Sequence, residues 1–545
     1  MTLSVLDGTL YLFATLSALT VWHFIRSYVI KSPLAVIPGP PSPSLMFGNF
    51  KQLMNKDGWK FHFDLQEKYE GLVRLRGLLG GEILYVKDPL AMHHIFVKEA
   101  YVYDETQAFL WSNRLVFGKG LLSTTGEEHK QQRKMLNPVF SMKHMREMIP
   151  ILYPITHQLR ECLKKEVQSG KEVIDIMSWA SRAALEYIGQ GGLGHSFSAF
   201  EEGQDGDKYS QAAKAVVPLV FKLNWMRYLL PYVAKLGPAK FRRHMIDLIP
   251  LSTPKQIRAL SDTFESASKE ILAQKREALL EGGKAVEALV GKGKDIMSIL
   301  LKANEGSGMP EDELLGHMTT LIVAATDTTT SAITRILSLL VIHQDVQTKL
   351  REEVTAARKE HGDLDYDTLQ ALPFLDAVCR ETLRVYCPVP TIQRYTVQDT
   401  VLPLAWPIKT VDGKSEVKEV TVPKGTLVFN SIWAVNTSKD IWGEDAREWK
   451  PTRWLQPLPE SVSKARLPGV YSQMMTFIGG GRACIGFKFS EMEMKLVLSV
   501  LLETFIFEPG PEIEWAMSNV VAPYVKGSSN GAAQLPVKVR LVSEQ

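Results

Sequence analysis

Apolar side chains recur along most of this chain at helical spacing, interrupted by short alternating runs and by glycine- and proline-rich breaks. The first apolar block covers residues 8 to 25, whose only ionisable side chain besides tyrosine is His23. A bilayer span needs roughly 20 apolar residues, so this block predicts a membrane-crossing helix. A cleaved leader would carry basic residues ahead of the apolar run and a small-residue cleavage site after it. Here Asp7 precedes, and Arg26 and Lys31 follow. That asymmetry predicts an anchor that stays, with its C-terminal side in the cytoplasm. The stacked prolines of Pro38-Gly39-Pro40-Pro41-Ser42-Pro43 cannot continue a helix and predict a stiff, extended linker. The chain therefore divides into an anchor (1–32), a hinge (33–45) and one large domain (46–545).

Within the domain, residues 81 to 97 alternate strand-like segments with a helix start, and another helix opens at Gly126-Glu127-Glu128-His129. Residues 209 to 245 are apolar with interspersed base, notably Trp225-Met226-Arg227-Tyr228-Leu229-Leu230-Pro231-Tyr232. That mixture suits a membrane interface or an ordinary buried helix pair. Glycines between Glu281 and Lys294 mark a polar connector. A long helix starts near Pro310, with Glu311, Asp312 and Glu313 in its first turn, and runs to about His343. Residues Val401 to Val422 read as a hairpin with a polar tip at Asp412-Gly413-Lys414-Ser415, and Phe487 to Leu502 as an apolar helix.

The middle of the long helix breaks its own pattern. Ala324-Ala325-Thr326-Asp327-Thr328-Thr329-Thr330 sets poor helix formers and an acid among Leu321, Ile322, Val323 and Ile333. Local rules broken together point to function. Composition narrows the classes. With 545 residues, 45% of them hydrophobic, the chain can bury a large core. A net charge of +3 argues against a general nucleic-acid binder. Cys162, Cys379, Cys387 and Cys484 form no close pair, which suggests a reducing compartment without a disulfide framework.

Cys484 stands apart from the other three. It lies in Phe477-Ile478-Gly479-Gly480-Gly481-Arg482-Ala483-Cys484-Ile485-Gly486, behind an arginine and ahead of a helix. A positive neighbour lowers a thiol's pKa, and a thiolate is a soft metal ligand. Zinc would need further ligands, and no second Cys or His lies near. A dinucleotide fingerprint needs a different glycine spacing. For an arbitrary cysteine a plain structural role would stand. The full pattern F-x-x-G-x-R-x-C-x-G, however, resembles the haem-binding loop of the cytochrome P450 family.

The resemblance implies that Cys484 is the axial thiolate of haem b, in a loop shaped by Phe477, Gly480, Arg482 and Gly486. It covers the chain from about Pro38 and extends to further motifs in the family's order. The proline-rich hinge is similar to that of microsomal members. His129 stands where many members have tryptophan; with Arg133 at i+4 it shares a helix face, and both would meet a haem propionate. Without the cysteine loop, these two residues read as a solvated basic face. Ala324 to Thr330 resembles the oxygen-activating groove, with Ala325 in place of the usual glycine. There Ala324 leaves room, Thr328 would hydrogen-bond the oxygen being activated, and Asp327 would deliver protons. Glu381 and Arg384 form the family's E-x-x-R pair, a spacing common by chance, and would join Arg453 of Pro451-Thr452-Arg453-Trp454 in a buried structural triad. Arg394 would reach a propionate. Thr391, Ile392 and Val521 would face substrate.

The implied fold is mainly α with small β-sheets, with an N-terminal anchor helix. The implied activity is monooxygenation of a lipophilic molecule with O2, in an endoplasmic reticulum membrane protein whose catalytic domain faces the cytoplasm, as in fungal microsomal members. No flavin or nicotinamide motif is present, so electrons would come from NADPH–cytochrome P450 reductase. A terpenoid or sterol-like substrate, such as a lanostane triterpenoid, is the expectation. A hydrophobic aromatic or xenobiotic is the alternative substrate. An electron-independent isomerase or dehydratase and a non-catalytic haem or lipid carrier are the rival functions. Asn436-Thr437-Ser438 matches a glycosylation sequon, which a cytoplasmic domain would leave unmodified.

Overall fold

The computed structural model describes residues 17–18, 22, 32–201, 208–282, 291, 293–304, 309–528 and 531–542. Helices dominate, and four small sheets sit among them. The predicted anchor lies outside the described residues apart from positions 17, 18 and 22; among the described residues no helix is long and apolar enough to cross a membrane. Part of the polar connector, residues 283–290 and 292, also lies outside them.

The long helix is Glu311–Ile342, 32 residues or about 48 Å. Pro310 caps it, and its three acids occupy the first turn, where they face the positive end of the helix dipole. It packs against helices Ile176–Glu186, Pro373–Val385 and Phe487–Thr504, which makes it the axis of the core. Threonines are tolerated inside because their hydroxyls bond back to the preceding turn. Thr326 donates to the Ile322 carbonyl (2.8 Å), Thr328 to Ala324 (2.7 Å), Thr330 to Thr326 (2.7 Å) and Thr334 to Thr330 (2.7 Å).

The largest sheet has five strands in the order Leu72–Arg76, Glu82–Val86, Leu427–Ser431, Thr391–Thr396 and Tyr103–Asp104. Only the pairing of Glu82–Val86 with Leu427–Ser431 is parallel. Residues 81 to 97 resolve as the strand Glu82–Val86 followed by the helix Pro89–His93. Asp88 joins the two. Its buried carboxylate accepts the Ala91 N–H (2.9 Å) as a helix cap and the Ala405 N–H (2.9 Å) from the hairpin. That hairpin is Thr400–Lys409 paired with Glu416–Val422, and its register shifts between Pro403 and Ile408, beside the contact with Asp88.

The proline-rich stretch is fastened to the domain. Leu34 and Ile37 are 0% and 1% exposed, the Arg74 N–H donates to the Pro38 carbonyl, and the Val411 N–H donates to the Val36 carbonyl. Residues 209 to 245 fold as the helix Lys208–Leu223, a tight turn Asn224–Leu229, a short helix Leu230–Val233 and the start of Ala239–Leu248. Leu229, Tyr232, Val233, Leu236, Phe241 and Leu248 of this region are exposed.

Candidate functional site

The cysteine loop is shaped by its glycines and by short backbone bonds. Gly480 has φ +71°, and a Cβ there would lie 1.9 Å from the Phe96 carbonyl oxygen, so no other residue fits. The Cys484 N–H donates to the Phe477 carbonyl (2.9 Å), and the Ala483 N–H to Gly480 (3.1 Å). Phe477 packs against Tyr471 (5.5 Å between centroids) and Phe487 (6.1 Å), which fixes the loop's outer wall. Gly486 caps the helix Phe487–Thr504 that follows.

Cys484 is exposed, yet burial pushes its thiol up, with the Gly486 N–H and Arg133 pulling it back. Both observations hold for a sulfur that is reachable although protein surrounds it. The central helix has the same property at its middle. Ala324 is exposed, and Asp327 and Thr328 keep accessible surface, between turns that are otherwise buried. Desolvation raises the Asp327 carboxyl to about 7. An acid poised there can hold and release a proton at neutral pH, next to the Thr328 hydroxyl, which bonds back to the Ala324 carbonyl.

Around the loop sits a basic cluster. Arg133 donates to the Ala483 carbonyl. Arg482 donates to the Thr124 carbonyl (2.8 Å) and lies 3.5 Å from Asp104. Arg394 pairs with Glu105 (2.9 Å) and stands over the Phe96 ring. His129 is buried among them, and desolvation with the charges of Arg482, Arg133 and Arg394 drives it down to about 3. A neutral histidine and three guanidiniums, with Asp104 and Glu105 the counter-charges found beside them among the described residues, suit a group that brings carboxylates of its own. Together with a soft, reachable sulfur donor, this donor set fits haem b. Asp104 and Glu105 were not legible as part of the site. Two acids just ahead of the helix Gln107–Phe117 read as ordinary start signals.

The structural triad is assembled. The buried Glu381 carboxylate accepts from Arg384 (2.8 and 2.7 Å), Arg453 (3.2 Å), the Trp454 indole (2.9 Å) and the Lys450 N–H (3.1 Å). Arg384 donates further to the carbonyls of Asn436 (2.8 Å) and Ala446 (2.6 Å). Every charge in this pocket is bonded, as burial requires. The sequon residue Asn436 is itself buried, with its amide donating to Thr476 (2.9 Å) and its oxygen accepting the Met475 N–H (2.8 Å).

Of the substrate candidates, Thr391 and Ile392 begin the sheet strand after Pro388-Val389-Pro390 and are half-buried. Val521 is 4% exposed. Its backbone is what connects the site: the N–H donates to the Pro388 carbonyl (2.9 Å), and the carbonyl accepts from Ser331 on the central helix (2.6 Å).

The family model for cytochrome P450 matches residues 38–523. The chain is 49% identical over 523 residues to cytochrome P450 monooxygenase 81 of Postia placenta, covering 95% of each chain. It is 40% identical over 544 residues to a ganoderic acid synthetase of Ganoderma lucidum, covering 98% of this chain and 99% of that one. It is 38% identical over 538 residues to a cytochrome P450 monooxygenase of Hericium erinaceus, covering 96% of each.

Proposed function

The chain belongs to the cytochrome P450 family, as a monooxygenase using haem held by an axial cysteine thiolate, and we propose that Cys484 is that cysteine and that the substrate is a terpenoid or sterol-like lipophile. The observation that carries the catalytic part is the juxtaposition of Asp327, held near neutrality by desolvation, with Thr328 on an accessible notch of a buried helix. Bound haem supplies O2 activation and insertion of one oxygen atom into a C–H bond. The protein's residues do the rest. Arg133, Arg394, Arg482 and neutral His129 would receive the haem carboxylates. Ala324, a small residue, would leave room for O2 and substrate. Thr328 would offer a hydroxyl there, and Asp327 would hold and release the protons the reaction consumes. The Glu381–Arg384–Arg453 triad holds the scaffold behind the loop.

Support for the substrate class comes from the ganoderic acid synthetase relative and from apolar walls such as Ile392. A redox partner, O2 and a substrate follow from the family; NADPH–cytochrome P450 reductase is our reading of that partner. An anchor over residues 1–32 and a hinge over 33–45 would hold the catalytic domain on the cytoplasmic face of the endoplasmic reticulum. The exposed Leu229, Tyr232 and Leu236, and the exposed Leu45 and Met46 at the junction of hinge and domain, would rest on that membrane.

The test is NADPH consumption and product formation with reductase across a lipophile panel. Terpenoid hydroxylation supports the reading, and turnover of small aromatics alone would move the substrate class to xenobiotics. Rearrangement of a peroxide without NADPH would make the protein an isomerase, and haem or lipid binding with no turnover would make it a carrier.

A further inference from the structure

Arg335 lies on the central helix seven residues beyond Thr328 and eleven beyond Ala324. At 3.6 residues per turn these spacings are close to two and three whole turns, so the three share one face. The Arg335 guanidinium is stacked between two rings, 3.3 Å from the Trp515 centroid and 4.5 Å from that of Tyr386. Among the described residues it has no carboxylate partner and no hydrogen-bond acceptor. Other interior guanidiniums have one or the other: Arg384 and Arg453 meet Glu381, Arg394 meets Glu105 and Arg358 meets Glu503, while Arg133, Arg227 and Arg351 bond neutral acceptors.

Rings on its faces hold a guanidinium plane in place but leave its in-plane N–H donors unused. A buried cation in that state is costly unless something supplies the charge. Arg335 keeps accessible surface although burial draws its guanidinium down to about 9. The same combination holds at Asp327, eight residues earlier and about 80° around the helix, and it leaves Arg335 reachable although it lies within the protein. The neighbouring wall is built from the segments proposed to flank the substrate. Ser331 bonds the Val521 carbonyl, Val521 bonds Pro388, and Pro388 follows Tyr386 by two residues. Haem carboxylates do not account for Arg335. The cluster that would receive them sits on other elements, and Arg335 is not among the charges that perturb His129.

We propose that Arg335 is a carboxylate-recognising residue of the substrate cavity, so that the substrate is a lipophile bearing a carboxylate. From the helical rise, the acid end would sit about 10 Å along the helix from Thr328, and oxidation would fall at that remove from the carboxylate. A carboxylate meets a guanidinium edge with two parallel hydrogen bonds, a match that an alcohol or ester lacks. The inference rests on the reading of the cavity as one for terpenoid-sized lipophiles.

The experiment titrates the haem-loaded protein with a lanostane triterpenoid acid and with its methyl ester, following the substrate-induced difference spectrum. The acid is expected to bind roughly 30-fold or more tightly than the ester. Arg335→Gln should erase that preference and leave ester binding and the reduced-CO absorption unchanged, while Arg335→Lys keeps part of it. Equal binding of acid and ester by the native protein, or equal weakening of both in Arg335→Gln, overturns the inference and leaves the lipophile reading standing. Should neither compound nor any other member of a lipophile panel shift the spectrum, the lipophile reading falls and takes this inference with it. The native comparison decides the matter even where a variant does not fold.

Discussion

Replacing Asp327 by asparagine should remove a pH dependence from the stability of the fold. In the folded protein desolvation raises this carboxyl from 3.8 to about 7. In the unfolded chain it ionises near its ordinary value. Between those two pH values the folded state binds more protons than the unfolded state, so stability falls as pH rises through the window. Below about pH 4 both states are protonated and nothing is lost; above about pH 7 the loss is complete. A shift of about three units at roughly 1.4 kcal/mol each gives an upper bound of about 4 kcal/mol. Asp327 retains accessible surface, and water reaching it would solvate the anion, which brings the expected figure to about 1–2 kcal/mol. The amide keeps the shape and cannot ionise. The urea midpoint of haem-loaded Asp327→Asn, less that of the native protein, should therefore climb from about pH 4 and level off above about pH 7. A difference that stays flat over this range would show that Asp327 ionises like a surface carboxylate, and the proton-relay role would lose its physical basis. The same variant should turn over more slowly, since the relay needs an ionisable group.

Cys484→Ala should abolish the reduced-CO absorption of a thiolate-bound haem, because alanine cannot donate to iron; survival of that absorption would show the ligand to be another residue. Thr328→Ala should keep haem and substrate binding but release more peroxide and less product per NADPH, measured side by side with reductase; unchanged coupling counts against a role at the reacting oxygen. Glu381→Gln leaves Arg384 and Arg453 facing a neutral amide in a sealed pocket, and should cost about 3–5 kcal/mol in urea unfolding. A change below about 1 kcal/mol, the range of an exposed pair, would mean that the triad is solvated.

Periodicity and turn chemistry made much of the helical framework legible. The central helix starts and stops within a residue of its cap signals, because Pro310, three acids and an apolar repeat are all local features. The hairpin at 401–422 was legible in outline, but the shift between Pro403 and Ile408 was not, since it sits where Asp88 captures backbone N–H groups from more than 300 positions away. Val521 was expected to face substrate; its side chain is buried, and its backbone ties the central helix to the Pro388 segment.

What the sequence determined by itself is the chemistry at fixed spacing. The pattern from Phe477 to Gly486 and the acid–alcohol pair Asp327–Thr328 are each contiguous, so their meaning survives without coordinates. What only the tertiary structure decided is which charges find partners. Arg384, Arg394 and Arg335 are all arginines set between uncharged neighbours, and nothing next to them in sequence tells them apart. One reaches Glu381 three residues away, one reaches Glu105 across a sheet, and one reaches only two aromatic rings. A guanidinium's pairing depends on what lies within a few ångströms in space, and burial sets how much an absent partner costs. Neither quantity is a property of the chain until it has folded.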